Sequence, residues 1–288
     1  MARNQPVATY SIVACDLEAE QWGVAVQSRF LAVGSLVPWA EPHVGAVATQ
    51  SYANPRYGPD GLALLRAGRP APEVVAELIG RDALAARRQV GVVDRAGGAA
   101  SHTGPECLPW AGGIADGDVA VQGNILAGEH VVRAMLEAYR ADEGAPFVRR
   151  LLRALEAGDA AGGDRRGKQS ACVRVWREDA GYGGGIDVAV DLRVDDEAEP
   201  VAELRRLVDL HELYFGSPDP ATLLDLEDEL ARETEAALTA LGYAPEQGFE
   251  EAFERWVGTE NFEERYVPGK IDPLVLAHLR RQAAAAVP

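Results

Sequence analysis

Thr9 and Ser11 stand two residues apart in ATYSIVAC, residues 8–15. In an extended chain side chains alternate, so both hydroxyls share a face with Val13, while Tyr10, Ile12 and Ala14 take the other. Such a pair can be ordinary strand structure, because threonine favours β conformation. It can also carry nucleophilic chemistry. A cut between Ala8 and Thr9 would make Thr9 the N-terminal residue. Its hydroxyl would attack, and its own α-amine, with an ordinary pKa of about 7.7–8.0, would take the proton. Ser11 is the reserve nucleophile or an orienting group.

Other residue types fit around that centre. Arg29 follows the next apolar run, in QSRF, and a hairpin would return it beside Thr9. A fixed cation there would keep an amine neutral and steady an oxyanion, although a surface arginine looks the same in sequence. Gln122 and Asn124 lie in VQGNILAG, at a strand end before a helix. Amides at such a place suit an oxyanion hole, and Asn124 equally suits a helix cap. Gln50 and Asn54, in TQSYAN, are further candidate substrate-binding residues. The segment GGDRRGKQS brings Asp164 and Arg165 into a glycine-rich loop. It can hold a substrate carboxylate or phosphate, or be a solvated hairpin entry. No histidine–cysteine–carboxylate cluster has metal-ligand spacing, so neither a metal nor a cofactor is expected.

Elements must position these groups. Residues 8–15 and 22–28 read as a hairpin, 43–50 as a third strand, 60–68 and 72–80 as helices. Residues 89–94 and 97–102 predict a second hairpin, 118–122 another strand, and 127–141 and 146–157 a helix pair. Residues 169–176 and 185–193 predict the last strand pair, and a helix runs from Pro200 to about Leu213. Hairpins separated by helix pairs do not suit a parallel doubly wound sheet, which needs one crossover helix per strand. They predict an α+β fold: a four-layer αββα sandwich over residues 8–215. After the GSPDP linker a small all-α domain is expected over 221–284, with helices at 221–241, 249–257 and 273–282.

The 288 residues, 47% of them hydrophobic, suffice for one large domain and a small one. A net charge of −17 disfavours nucleic acid as a partner. From Ser217 onward 15 acidic residues face six basic ones, which marks a compositional boundary. Three widely spaced cysteines form neither a disulfide framework nor a zinc pattern. No apolar signal core and no membrane-length apolar run is present, so a cytoplasmic location without membrane contact is expected.

TYSIVACD, GVAVQSRFLAVG, VGAVATQSYANPRYGPDGLALL, HTGPECLPWAG, QGNILAG, AGGDRRGKQSA and VDLRVDD, in that order, resemble the DUF1028 family, a domain-of-unknown-function family with an Ntn-hydrolase-like fold. The resemblance covers about Ala8 to Phe215. It implies an N-terminal-type threonine acting on a small amide or peptide-like substrate, in a chain that packs as a homo-oligomer. Members often begin almost at this threonine, whereas eight residues precede Thr9 here, so exposure requires a cut after Ala8. The family position at Arg29 is commonly lysine. Arginine keeps the charge but cannot deprotonate. The tail, from ELARETEAAL to IDPLVLAHLR, resembles a peptidoglycan-binding module, which implies peptidoglycan fragments as a further partner. A helical lid or dimerisation element is the alternative. Phe249, Phe253, Trp256 and Phe262 are spaced as a helix core rather than as a sugar platform.

Overall fold

The computed structural model describes residues 9–243 and 248–286. Ala8, and with it the expected cut, lies outside the described residues. The chain divides into two compact units, one ending at Val208 and the other starting at Asp209.

The first unit opens with a hairpin, Thr9–Asp16 (β1) and Gln21–Ser28 (β2). Pro38–Glu41 (β3) and Gly45–Ser51 (β4) follow, then helices Tyr57–Arg66 (α1) and Ala71–Gly80 (α2). Arg88–Asp94 (β5), Ala99–Thr103 (β6), Gly112–Asp116 (β7) and Val119–Gly123 (β8) come next. Glu129–Arg140 (α3) and Phe147–Ala160 (α4) lead to Ser170–Trp176 (β9), Val188–Val194 (β10) and Pro200–Phe215 (α5), whose residues from Asp209 onward belong to the second unit.

Among the described residues of this unit, two antiparallel sheets result, ordered β10-β9-β2-β1-β8-β7 and β3-β4-β5-β6. Alternation along each strand divides the apolar residues between two faces. Tyr10, Ile12 and Ala14 of β1 pack with Val131 and Met135 of α3 and Leu151 and Leu155 of α4. Val13 and Cys15 point the other way, against Ala46 and Ala48 of β4 and Val93 of β5. The far face of the second sheet, with Val47, Val90 and Val92, covers Leu62, Leu65, Val74 and Leu78 of α1 and α2. Three apolar layers between four structural layers make the αββα sandwich that the strand and helix pattern predicts.

β3 and β7 are absent from the sequence reading. PWAE has four residues, too few to show a period, and its proline opens an edge strand. GGIAD reads as a loop because of its glycines. In the structure Gly112 lies against the Trp110 ring, and a Cβ at Gly113 would sit 2.5 Å from Ser101 Oγ.

In the second unit Asp228–Ala240 (α6), Phe249–Glu260 (α7) and Pro273–Ala286 (α8) are helices. Two short strands, Leu224–Asp225 (β11) and Lys270–Ile271 (β12), pair between them. The helix expected over 221–241 therefore starts later, and the unit is helical with one small β pair. The first leucines of that run are drawn into pairing: Leu224 opposes Ile271, and Leu226 N donates to Gly269 O at 2.9 Å. Phe253, Trp256 and Phe262 are buried together with Leu238, Leu276 and Leu279, as a helix core. Among the described residues no helix is long and apolar enough to cross a membrane.

One buried ion pair ties this unit. Arg265 Nη1 donates to Asp272 Oδ2 at 2.6 Å, Nε donates to Leu213 O at 2.7 Å, and Nη2 donates to Glu212 O. Arg265 and Asp272 are only 6% and 3% exposed. Removing the cation strands a buried carboxylate. Arg265→Met should therefore destabilise the unit by roughly 3–5 kcal/mol, read as faster hydrogen exchange in α7 and α8 and an earlier urea transition. Unchanged exchange there would refute this role.

Candidate functional site

Between the sheets the side chains change character along the strands. One part is aliphatic, with Val13, Val24, Val26, Ala46, Ala48, Val93 and Ala120. Toward the Thr9 end, positions in the same phase become Thr9, Ser11, Ser28, Gln50, Gln89 and Gln122, all fully buried. These polar residues lie in the first or last few positions of otherwise apolar strands, so the period of two that builds the core also aims them inward.

The amides bond across the gap between the sheets. Gln50 Nε2, from β4, donates to Gln89 Oε1 at 2.9 Å, to Gln122 O at 3.3 Å and to Thr9 O at 3.4 Å. Gln89 Nε2, from β5, donates to Gly123 O at 2.8 Å, Gly112 O at 3.2 Å and Thr103 Oγ1 at 2.9 Å. Ser11 Oγ donates to Gln50 Oε1 at 2.6 Å and accepts from Gln122 Nε2 at 2.7 Å. Asn124 Nδ2 donates to Gln89 Oε1 at 3.0 Å. Thr9 Oγ1 donates to Ser28 Oγ at 3.1 Å. Each net bond contributes about 0.5–1.5 kcal/mol, but losing one partner leaves a buried group costing about 1–3 kcal/mol.

Asn124 is the immediate neighbour of Thr9, since its backbone N donates to Thr9 O at 3.0 Å. Its Nδ2, the group an oxyanion would need, is held by Gln89. Its Oδ1, like Gln122 Oε1, is buried without a hydrogen-bond partner among the described residues. The chain turns sharply at both strand ends. Ser51, after Gln50, has φ 67°, and Ile125, after Asn124, has φ 55°. A left-handed β-branched residue is strained by about 1–3 kcal/mol, and such strain concentrates at functional sites.

Three loops close over this end. Asp164, its side chain fully buried, accepts from Arg29 N at 3.3 Å and from Arg166 N and Nη2, both at 2.9 Å. Arg165 N donates to Ile125 O at 3.0 Å, and its Nη2 donates to Pro109 O at 3.1 Å. Arg29 is exposed, and its Nη1 donates to Arg166 O at 2.5 Å. It follows Ser28, the residue paired with Thr9, so the hairpin places it at the rim rather than on the hydroxyl.

The structure thus brings together Thr9, Ser11, Gln50, Gln122 and Asn124, with Arg29, Asp164 and Arg165 around them. Asn54 lies elsewhere. Its Nδ2 donates to Asp82 Oδ2 at 3.0 Å, at a cavity of about 230 Å³ that Arg56 and Tyr57 also line. Burial pushes the Asp82 carboxyl up, but donors from Arg88, the Leu84 backbone and Asn54 outweigh it and hold it down to about 2. Cys15 and Cys172 are no rivals to Thr9, because burial pushes both thiols up to about 12. Gln89, Ser28 and Thr103 escaped the sequence reading. Gln89 could have been found there, since it starts a strand in the inward phase, as Gln50 and Gln122 end theirs.

The fold now has a counterpart among known proteins. The chain belongs to the family described as "Family of unknown function (DUF1028)", whose model matches residues 9–204. A second model, described as "Putative peptidoglycan binding domain", matches residues 214–279. A similar solved structure is the crystal structure of protein SPO2555 from Silicibacter pomeroyi, of the same DUF1028 family. It is 29% identical, with a TM-score of 0.66, over 74% of this chain and 93% of that one. No curated protein matches the chain.

Gly91 makes room for the network. A Cβ there would lie 2.1 Å from Gln122 Oε1 and 2.6 Å from its Cδ. Gly91→Ala should cost about 1–3 kcal/mol in urea unfolding. In a Gln122→Ala background that cost should fall below about 1 kcal/mol, because the obstructing amide is gone. Equal costs in the two backgrounds would show that Gly91 serves another purpose.

Proposed function

We propose that this chain hydrolyses a small amide or peptide-like C–N bond, with Thr9 as nucleophile after a cut between Ala8 and Thr9. One observation carries the reading. The Thr9 hydroxyl lies at the end of a buried strand, bonded to Ser28 Oγ and flanked by an amide network that includes an unpartnered acceptor on Asn124.

The freed α-amine would take the hydroxyl proton as Thr9 Oγ1 attacks the substrate carbonyl carbon. The C–N bond would break as that proton passes to the leaving nitrogen. Water would then attack the resulting ester, release the acid and restore the hydroxyl. The Arg29 cation at the rim favours the unprotonated amine. Asn124 Nδ2 could hold an oxyanion only by leaving Gln89, so its Oδ1 better fits a second task, accepting an N–H of the α-amine or the substrate. Ser11, tied to Gln50 and Gln122, serves as an orienting group.

The match over residues 214–279 favours peptidoglycan fragments as partners, since wall peptides offer amides of the required kind. On this reading the chain acts as a homo-oligomer on such fragments in the cytoplasm. The same match supports a second reading, a non-catalytic scaffold that presents the C-terminal unit to glycan.

A chain produced to begin at Thr9 should hydrolyse members of an amide panel. Thr9→Ala should lower the rate by roughly a thousandfold or more, and Ser11→Ala by far less. Equal rates in Thr9→Ala and its parent would end the nucleophile assignment. Co-sedimentation of an inactive full chain with peptidoglycan would instead favour the scaffold.

A further inference from the structure

We infer that the substrate of this site is an amide carrying a free carboxylate, an N-acyl amino acid or the end of a short peptide, recognised by Arg165 with Arg29. This rests on the hydrolase reading of Thr9, and it concerns binding rather than bond cleavage.

Thr9 lies between two strands, and each leads to one of these cations. On the β8 side, Asn124 N bonds Thr9 O, and the next residue, Ile125, accepts from Arg165 N. On the β2 side, Ser28 pairs with Thr9, and the next residue is Arg29. The Asp164 carboxylate between them does not cancel either guanidinium. It is occupied by the Arg166 side chain and by the backbone N–H groups of Arg29 and Arg166. Among the described residues neither Arg29 nor Arg165 forms a side-chain ion pair, in a chain of net charge −17. Each is instead held by a neutral backbone carbonyl, Arg166 O for Arg29 and Pro109 O for Arg165. A carbonyl fixes the guanidinium without neutralising it, and leaves further N–H donors in a planar fork that suits a carboxylate. Gly167, at φ 105°, lets the loop pass close by, since a Cβ there would sit 2.9 Å from Arg29 Nη1.

The inner groups complement this rim. The unpartnered Asn124 Oδ1, beside Thr9, is an acceptor. An acceptor within and cations at the rim match a ligand that turns an amide N–H inward and a carboxylate outward. In an N-acyl amino acid these two groups flank a single carbon.

Calorimetric titration of the full chain, and of one beginning at Thr9, separates this from catalysis. The probes are N-acetylglycine, N-acetyl-L-alanine and N-acetyl-L-glutamate, each beside its uncharged primary amide. The carboxylates should bind roughly tenfold tighter or more. Arg165→Gln should abolish that preference and Arg29→Gln reduce it, while Arg133→Gln on α3, paired with Glu129, should leave it intact. Circular dichroism of each variant checks folding. Failure of every carboxylate to bind, equal binding of the neutral amides, or a preference surviving Arg29→Gln with Arg165→Gln would overturn the assignment. If the preference stands while Thr9→Ala hydrolyses as fast as its parent, the hydrolase reading alone falls.

Discussion

Amide side chains buried between two sheets must find their partners in each other or in the facing backbone. That constraint governs the Thr9 end of the sandwich. Gln50 and Gln89 project from one sheet and donate to carbonyls of the other, at Thr9, Gln122, Gly112 and Gly123. Apolar contact elsewhere between the sheets is non-directional and tolerates small slides. The amide bonds do not, because a slide of one sheet over the other would carry donors and acceptors beyond hydrogen-bond distance. The network therefore sets the register of the two sheets where Thr9 sits.

Several local features follow from that clasp. Gly91 lacks a side chain where Gln122 needs space, and left-handed backbone is adopted by Ser51, the last residue of β4, and by Ile125, two residues beyond β8. The strained Ile125 is held from both sides, its N–H on Leu108 O and its carbonyl on Arg165 N. The same residue thus connects the buried network to the cationic rim. Asn124 Oδ1 and Gln122 Oε1 are buried in this network without a hydrogen-bond partner among the described residues.

Much of this was legible in the chain. Alternation in TYSIVACD and GVAVQS placed the first hairpin and put Thr9 and Ser11 on one face with Val13, and paired helices between hairpins pointed to the four layers. Edge strands escaped because PWAE and GGIAD are short and built around proline or glycine. The role of Gln89 escaped because its partners are 14 to 39 residues away, on segments whose pairing no local pattern specifies. Asn54 sits close to Gln50 in sequence yet joins Asp82 instead, because the left-handed turn at Ser51 redirects the chain. In the second unit aromatic spacing identified the core around Trp256. Pairing of Leu224 with Ile271 overrode the helical period of residues 221–227.

On the proposed function, the clasped end of the sandwich presents Thr9 with a free backbone nitrogen. Intact mass and N-terminal sequencing of the purified chain test this most directly. The account predicts a mature species that begins Thr-Tyr-Ser, lighter by residues 1–8. A chain that stays full length under conditions where it turns over an amide would contradict it.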